Sequence, residues 1–205
     1  MDEIRAVVFD LYGTLVHVVD GLNPYARLFL DLGMSPEEVS LARKIALTED
    51  FEDLPSLVAR LRPGVQIDTG SYERDISREL DSVRLYSEVM QVLKELEGRD
   101  MNLGVISNLA SPYKRPFFAL GIDGLVDDYL FSCEVGLKKP DKLIYQKMLE
   151  SLQVAPNHVL MVGDNIYCDV YGPESVGMNA VLLDRDGKSD YPARVSYLGG
   201  ILRYC

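Results

Sequence analysis

The sequence predicts an α/β fold, a doubly wound parallel sheet with an all-α segment inserted after the first strand. Two observations carry this. Short apolar runs without alternation recur along the chain, separated by amphipathic helical stretches, which is the rhythm of a parallel sheet covered on both faces. Between residues 17 and 84 that rhythm stops and only helical periodicity remains.

Residues 4–9 (IRAVVF) are the first apolar run and close at Asp10. Residues 103–106 (LGVI) close at Ser107-Asn108, and 129–132 (YLFS) make a weaker strand. Residues 158–162 (HVLMV) close at Gly163-Asp164, and 180–183 (AVLL) close at Asp184. Among the helices, residues 87–97 place Val89, Val92, Leu93 and Leu96 on one face, and residues 143–152 follow the same period. Residues 113–120 make a poorer helix because Pro116 must sit in its first turn. Pro140-Asp141 marks a helix start. The interrupting stretch carries three or four helical patterns and no convincing strand. Ser35-Pro36-Glu37-Glu38 is a helix N-terminus with Pro in the first turn, and residues 53–62 and 72–83 are amphipathic. The expected division is a sheet domain of residues 1–16 and 85–205 with a helical insertion of residues 17–84.

The chain has 205 residues, enough for one well-buried core with a small inserted module. Hydrophobic residues make up 47% and charged residues 26%, which excludes a disordered chain. The formal net charge of -11, with no basic stripe, argues against nucleic acid as a partner. A phosphorylated ligand would also be repelled unless a bound cation or local Lys and Arg reversed the field. The three cysteines lack metal-ligand spacing, so reduced thiols are expected. The start MDEIRAVVFD has no basic region before its apolar run, and no apolar run approaches about 18 residues. No leader, no membrane span and a cytoplasmic location are expected.

Ligands of doubly wound sheets bind at the carboxyl ends of the strands. Asp10, Ser107, Asn108 and Asp164 close apolar runs and should converge there, with Asp169 about one helical turn past Asp164. Their grouping matters more than any one of them, because strands commonly end in polar loops.

Four segments in order resemble the motifs of the haloacid dehalogenase-like hydrolases. Phe9-Asp10-Leu11-Tyr12-Gly13-Thr14-Leu15 is similar to motif I and Ile106-Ser107-Asn108 to motif II. Lys139-Pro140-Asp141 with Ile144-Tyr145 is similar to motif III, and Val162-Gly163-Asp164-Asn165 through Asp169 to motif IV. The resemblance implies a Rossmann-like core with a helical cap that closes over Asp10. It implies Asp10 as a covalent nucleophile and Mg²⁺ held by the Asp10 carboxylate, the Tyr12 backbone carbonyl and Asp164. Asp169 would act through a water or from behind those ligands. The substrate would be a small molecule, a phosphate ester for choice.

Elementary chemistry supports these roles. A carboxylate can attack phosphorus or an activated carbon and give an intermediate that water then cleaves. Gly13 allows a sharp turn behind the nucleophile, and the Thr14 hydroxyl can orient a substrate oxygen. Two close carboxylates repel, and a hard divalent cation relieves that repulsion. Ser107 can hydrogen-bond a phosphoryl oxygen, assisted by backbone N–H groups at the following helix start; Asn108 is grouped with it. Lys139 supplies positive charge to the nucleophile and to the transition state, and Lys138 is its competitor.

Tyr12 departs from the family's phosphatases, which carry a second Asp two residues after the nucleophile to protonate the leaving group. A phenol of pKa about 10 is a poor base near neutrality, so help worth about 10²–10⁴-fold is put in doubt. Tyr12 also resembles the D-x-Y-G-T segment of the 2-haloacid dehalogenases, and Tyr145 matches their aromatic residue after the motif III lysine. Against that stand Gly163-Asp164, where dehalogenases carry a metal-free Ser-x-Asn loop, and the lack of a Trp-Arg pair. The chain has no Trp, and Arg43 stands in an unrelated context. A metal-dependent phosphatase is the expected function. Metal-free dehalogenation is the first alternative, and a weakly active domain binding a phosphometabolite or a protein is the second. Cys168, His17 and His158 are expected to be structural.

Overall fold

The structure, a computed structural model, describes residues 3–205. The first two residues assigned to the sheet domain lie outside them. The run before Asp10 is β1 (Ala6–Phe9), followed by a short β2 (Val16–Val18). Four helices come next: α1 (Pro24–Asp31), α2 (Pro36–Thr48), α3 (Leu54–Leu61) and α4 (Gly70–Asp81). The chain returns through β3 (Val83–Leu85) and α5 (Val89–Glu97) to β4 (Asn102–Ser107). Then come α6 (Arg115–Ala119), β5 (Asp128–Phe131), α7 (Ser132–Val135) and α8 (Lys142–Leu152). The order ends with β6 (Val159–Gly163), α9 (Gly172–Glu174), β7 (Asn179–Leu183) and β8 (Arg194–Val195).

The main sheet runs β5-β4-β1-β6-β7-β8 with every neighbouring pair parallel. The chain builds outward from β1 through β4 and β5, then crosses back to β6 on the other side. Strand order therefore reverses at β1, and the carboxyl ends of β1, β4 and β6 frame the crevice where such sheets bind ligands. Phe9 lies opposite both Val105 and Val162, so Asp10 leaves the sheet level with the ends of its neighbours.

Alternation along β1 sends side chains to two cores. Val7 and Phe9 pack with Val89, Leu93 and Leu96 of α5, while Ala6 and Val8 pack with Ile144, Tyr145 and Met148 of α8. The stripe read on residues 87–97 is the buried face of α5. Asp141 caps α8 by accepting from the Leu143 N–H, and Pro116 occupies the first turn of α6.

The insertion has its own apolar core. Leu28 and Phe29 of α1, Ile45 of α2, Leu57 of α3 and Ile76 and Leu80 of α4 meet in it. Ser35 and Glu38 form a reciprocal capping box on α2, satisfying two of the N–H groups a helix start leaves open. The entry and exit of the insertion are not purely helical. β2 and β3 pair antiparallel, with Val16 opposite Leu85 and Val18 opposite Val83. This differs from the strand-free reading, because three-residue strands are too short to show alternation. Here the pairing of two chain ends, rather than propensity, makes the strands. Among the described residues no helix is long and apolar enough to cross a membrane.

Candidate active site

Asp10 follows β1 and remains in register, its N–H donating to the Val162 carbonyl at 2.9 Å. The chain then turns back sharply, with Leu15 and Val16 N–H groups donating to the Leu11 carbonyl. Gly13 makes this turn at φ 86°, and a Cβ there would collide with the Asp164 carboxylate. Glycine is thus required twice at one position, for conformation and for closeness. Gly163 is a second such position, since a Cβ there would run into the Asp169 side chain.

The carboxylates of Asp10, Asp164 and Asp169 come together, each offering an oxygen within 4.8 Å of the others. Asp169 reaches the site on the one-turn π-helical segment Ile166–Tyr171, which the Asn165 side chain caps by accepting from the Tyr167 and Cys168 N–H groups. Lys139 enters from the loop before α8. It is 2% exposed, and its Nζ donates to Asp10 Oδ1 at 2.8 Å and to Asp169 Oδ1 at 2.6 Å. Lys138 lines a separate cleft beside α2, so Lys139 is the lysine that reaches the carboxylates. The second oxygen of Asp169 accepts from the Asn165 N–H at 3.0 Å, leaving it fully engaged behind the other two acids.

The Lys139 ammonium bonds two of the three carboxylates, Asp10 and Asp169. Burial pushes the Asp10 pKa upward, Lys139 pulls it down, and the Asp169 and Asp164 charges push it up again. Asp164 is raised by partial burial and by Asp169. For Lys139, burial disfavours the charge, but the Asp10 and Asp169 carboxylates overcome that and hold it protonated. A hard cation with oxygen ligands fits this donor set, because it cancels the charge that Lys139 leaves uncompensated. Asp10 and the solvent-facing Asp164 are the carboxylates placed to hold it.

Thr14 is fully buried, and its hydroxyl lies 3.5 Å from Asp10 Oδ2. Ser107 is 1% exposed at the end of β4. Asn108 was grouped with Ser107 as a substrate contact, but its side-chain amide is used otherwise. Nδ2 donates to the Lys139 carbonyl and Oδ1 accepts from the Lys139 N–H, both at 2.8 Å. Tyr145, the aromatic residue of motif III, donates its hydroxyl to the Cys168 carbonyl and so braces the Asp169 segment.

The Tyr12 hydroxyl donates to the Tyr113 carbonyl at 2.9 Å. The Tyr113 hydroxyl donates in turn to Glu79 Oε1 at 2.6 Å, and Glu79 Oε2 accepts from the Leu22 and Asn23 N–H groups. Burial, reinforced by Glu79, drives the Tyr12 phenol far above its ordinary value. Tyr12 therefore links the turn after Asp10 to the helical insertion and is no acid or base near neutrality.

A cleft of about 340 Å³ lies between insertion and sheet, lined by Tyr12, Tyr25, Phe29, Arg43, Asn108 and Tyr113. Arg43 was set aside in the sequence as out of context, and the fold brings it to this cleft. Glu79 was also missed, although it falls on the apolar stripe of α4 with Tyr72, Ile76 and Leu80, where a charge needs a partner. His17 lies in β2 against the Tyr86 ring, and the His158 ring bonds the Glu3 carbonyl.

The family model of haloacid dehalogenase-like hydrolases matches residues 4–177. The chain is 29% identical over 205 residues to (S)-2-haloacid dehalogenase 1 of Pseudomonas sp. (strain CBS-3), covering 92% of this chain and 88% of that one. It is 36% identical over 93 residues to glyceraldehyde 3-phosphate phosphatase of Pyrococcus abyssi, covering 44% of this chain and 39% of that one. A crystal structure of a phosphatase of the same family from Thermococcus onnurineus superposes with a TM-score of 0.68 at 25% identity, covering 98% of this chain and 97% of that one. With the family match spanning most of the chain and the whole architecture recurring in that structure, this protein belongs to the haloacid dehalogenase-like hydrolases.

Proposed function

We propose that the protein is a divalent-cation-dependent phosphatase acting on a small phosphorylated molecule through an aspartyl-phosphate on Asp10. One observation carries this reading: three carboxylates offer oxygens within 4.8 Å of one another, and Lys139 bonds only two of them. A cluster that under-neutralised is costly unless a cation completes it. Asp10 and Asp164 would hold Mg²⁺, which when bound would supply positive charge to the phosphoryl oxygens.

The chain's own residues supply the remainder. The Thr14 hydroxyl lies against Asp10, and Ser107 closes the neighbouring strand β4; both would orient phosphoryl oxygens. Lys139 favours the ionised form of Asp10 against burial and the neighbouring acids, and it would stabilise charge on the transferring group. An Asp10 oxygen forms a bond to phosphorus as the ester P–O bond breaks, and the released alkoxide takes a proton from solvent. Water then attacks the aspartyl-phosphate at phosphorus, freeing inorganic phosphate and restoring the carboxylate. The test is phosphate release from a phosphoester panel with Mg²⁺ and with EDTA, beside Asp10→Asn. Turnover that needs the metal and vanishes in Asp10→Asn is expected. Phosphate release indifferent to EDTA overturns the reading.

A second reading has its own support. Tyr12 in motif I, Arg43 lining the aromatic cleft and a dehalogenase relative matched along nearly the whole chain favour hydrolytic dehalogenation of a 2-haloacid. There Asp10 would attack carbon and halide would leave without needing a proton. Halide release from 2-haloacids in EDTA distinguishes this reading from the first.

A further inference from the structure

Arg185 follows β7 and belongs to none of the four motifs. Its guanidinium nevertheless reaches across to the point where the helical insertion joins the sheet domain. One terminal nitrogen donates to the Thr14 carbonyl at 3.0 Å, and the other to Glu88 Oε1 at 2.7 Å. The guanidinium carbon lies 3.5 Å from the centre of the Tyr86 ring, a stacking distance. Tyr86 in turn packs against His17 of β2, with ring centres 4.6 Å apart and planes tilted by 56°, and its N–H donates to the Leu15 carbonyl at 3.1 Å. Glu88 also accepts from the Leu198 N–H at 3.3 Å.

These contacts fall on three segments: the turn behind Asp10, the chain returning from the insertion, and the C-terminal segment. Arg185 also has a donor with no other use. Its Nε is buried and has no hydrogen-bond partner among the described residues. A shorter or simpler cation would avoid that unpaired group but would give up one of the three contacts. A lysine offers a point charge and cannot make two directed bonds while stacking.

We propose that Arg185 is a positioning residue that clamps the turn behind Asp10 to the segment between β3 and α5, where the chain returns from the insertion. It acts through Thr14, whose carbonyl it holds and whose hydroxyl faces Asp10. By gripping Tyr86 and Glu88 with the same group, it ties the setting of the insertion to the aim of the nucleophile. The inference rests on the reading of Asp10 as nucleophile, since a misaimed turn matters to turnover only if Asp10 attacks.

The experiment compares the full-length wild type with Arg185→Lys, Arg185→Gln and Glu88→Gln, with Asp10→Asn as control. Turnover of p-nitrophenyl phosphate with Mg²⁺, melting temperature and amide hydrogen exchange are measured. Arg185→Lys is expected to lower kcat about tenfold or more with KM within about twofold, because misplaced reacting groups cost rate rather than binding. Exchange should quicken at residues 13–16 and at Tyr86 while β4 is unchanged. Glu88→Gln should give a smaller change of the same kind, which keeps the test alive if Arg185→Gln fails to fold. The clamp is overturned if Arg185→Lys keeps kcat within about twofold of wild type, or if exchange at residues 13–16 does not change. It is also overturned if kcat falls only in step with melting temperature across the variants. Turnover retained in Asp10→Asn would bring down the nucleophile reading instead, and the exchange data, which need no substrate, would then judge the clamp alone.

Discussion

The side-chain amide of Asn108 and the main chain of Lys139 are hydrogen-bonded in both directions, each bond 2.8 Å long. An amide that both donates to and accepts from one residue fixes that residue's position and rotation. Asn108 directly follows β4, so this pairing ties the loop before α8 to the sheet and aims the Lys139 ammonium between Asp10 and Asp169. Asn108→Ala is expected to lower kcat by about tenfold to a hundredfold, as misplacing a charge-stabilising group does. It should cost about 1–3 kcal/mol of stability, because it leaves buried backbone groups unpaired. Asn108→Asp keeps the acceptor and loses the donor, so it should fall between Ala and wild type. Steady-state kinetics with urea unfolding of the same variants measure both effects. Wild-type kcat in Asn108→Ala would mean that the pairing is incidental.

The charge count at Asp10, Asp164 and Asp169 sets a thermodynamic expectation for the metal. A ligand that binds only the folded state stabilises it, by about 2.7 kcal/mol at a hundredfold excess over Kd. For a chain of this size each kcal/mol corresponds to about 2–4 °C in Tm, so Mg²⁺ should raise the melting temperature by several degrees. Asp164→Asn should behave oppositely on two counts. Without metal it should melt above the metal-free wild type, because one of three crowded charges is gone, and Mg²⁺ should no longer shift it. Differential scanning fluorimetry with and without EDTA reads both. A wild type that ignores Mg²⁺ would remove the cation from the account.

Most of the site was legible in the sequence because its residues close strands. A buried run that stops at Asp10, at Ser107 or ahead of Asp164 announces both the strand and the position of the polar side chain beyond it. Position along the sheet was less legible. Asn108 follows Ser107 directly, and nothing in the sequence says that its amide turns to Lys139 rather than toward a ligand. Glu79 and Arg185 matter through contacts with residues far away in the chain, and Arg43 through the cleft it lines, so local pattern gave little sign of them. Glu79 left a faint trace, a charge on an apolar stripe, and Arg185 left none. The β2–β3 pair was missed for a different reason. Its stability is a property of two distant segments meeting, and neither segment shows it alone.

The capping box of α2 makes a pH prediction away from the site. The Arg62 guanidinium and the Ser35 N–H both bond the Glu38 carboxylate and hold its pKa at about 2, below the ordinary 4.5. A pKa lowered by folding adds stability that is fully present above the unfolded value and is lost as pH falls through the folded one. Wild type should therefore be more stable than Glu38→Gln near neutrality, and the gap should close as pH is lowered from about 5 toward about 2. Salt should narrow the gap at neutral pH, because the Arg62 pair is solvent-exposed. Chemical unfolding of the two proteins across this pH range gives the difference directly. A gap that stays constant with pH would mean that Glu38 contributes by packing or propensity and not by charge.

Tyr12 decides which substrates the proposed phosphatase can turn over. Its hydroxyl is bound to the Tyr113 carbonyl and its pKa is driven further up by burial, so the leaving group must depart without a proton from this position. Aryl phosphates, whose leaving groups are weak bases, should therefore be hydrolysed much faster than alkyl phosphates. Tyr12→Phe removes only the hydroxyl and should change kcat by less than about threefold, with a stability loss of about 0.5–1.5 kcal/mol for the hydrogen bond. Tyr12→Asp places a carboxyl group two residues past the nucleophile. It should raise kcat on alkyl phosphates by about tenfold or more, short of the 10²–10⁴-fold of a fully evolved acid, while aryl phosphates gain little. The ratio of the two rates is the measurement, since it cancels any common loss from altered folding. If Tyr12→Asp leaves that ratio unchanged, leaving-group protonation is not what this site lacks, and the dehalogenase reading gains in proportion.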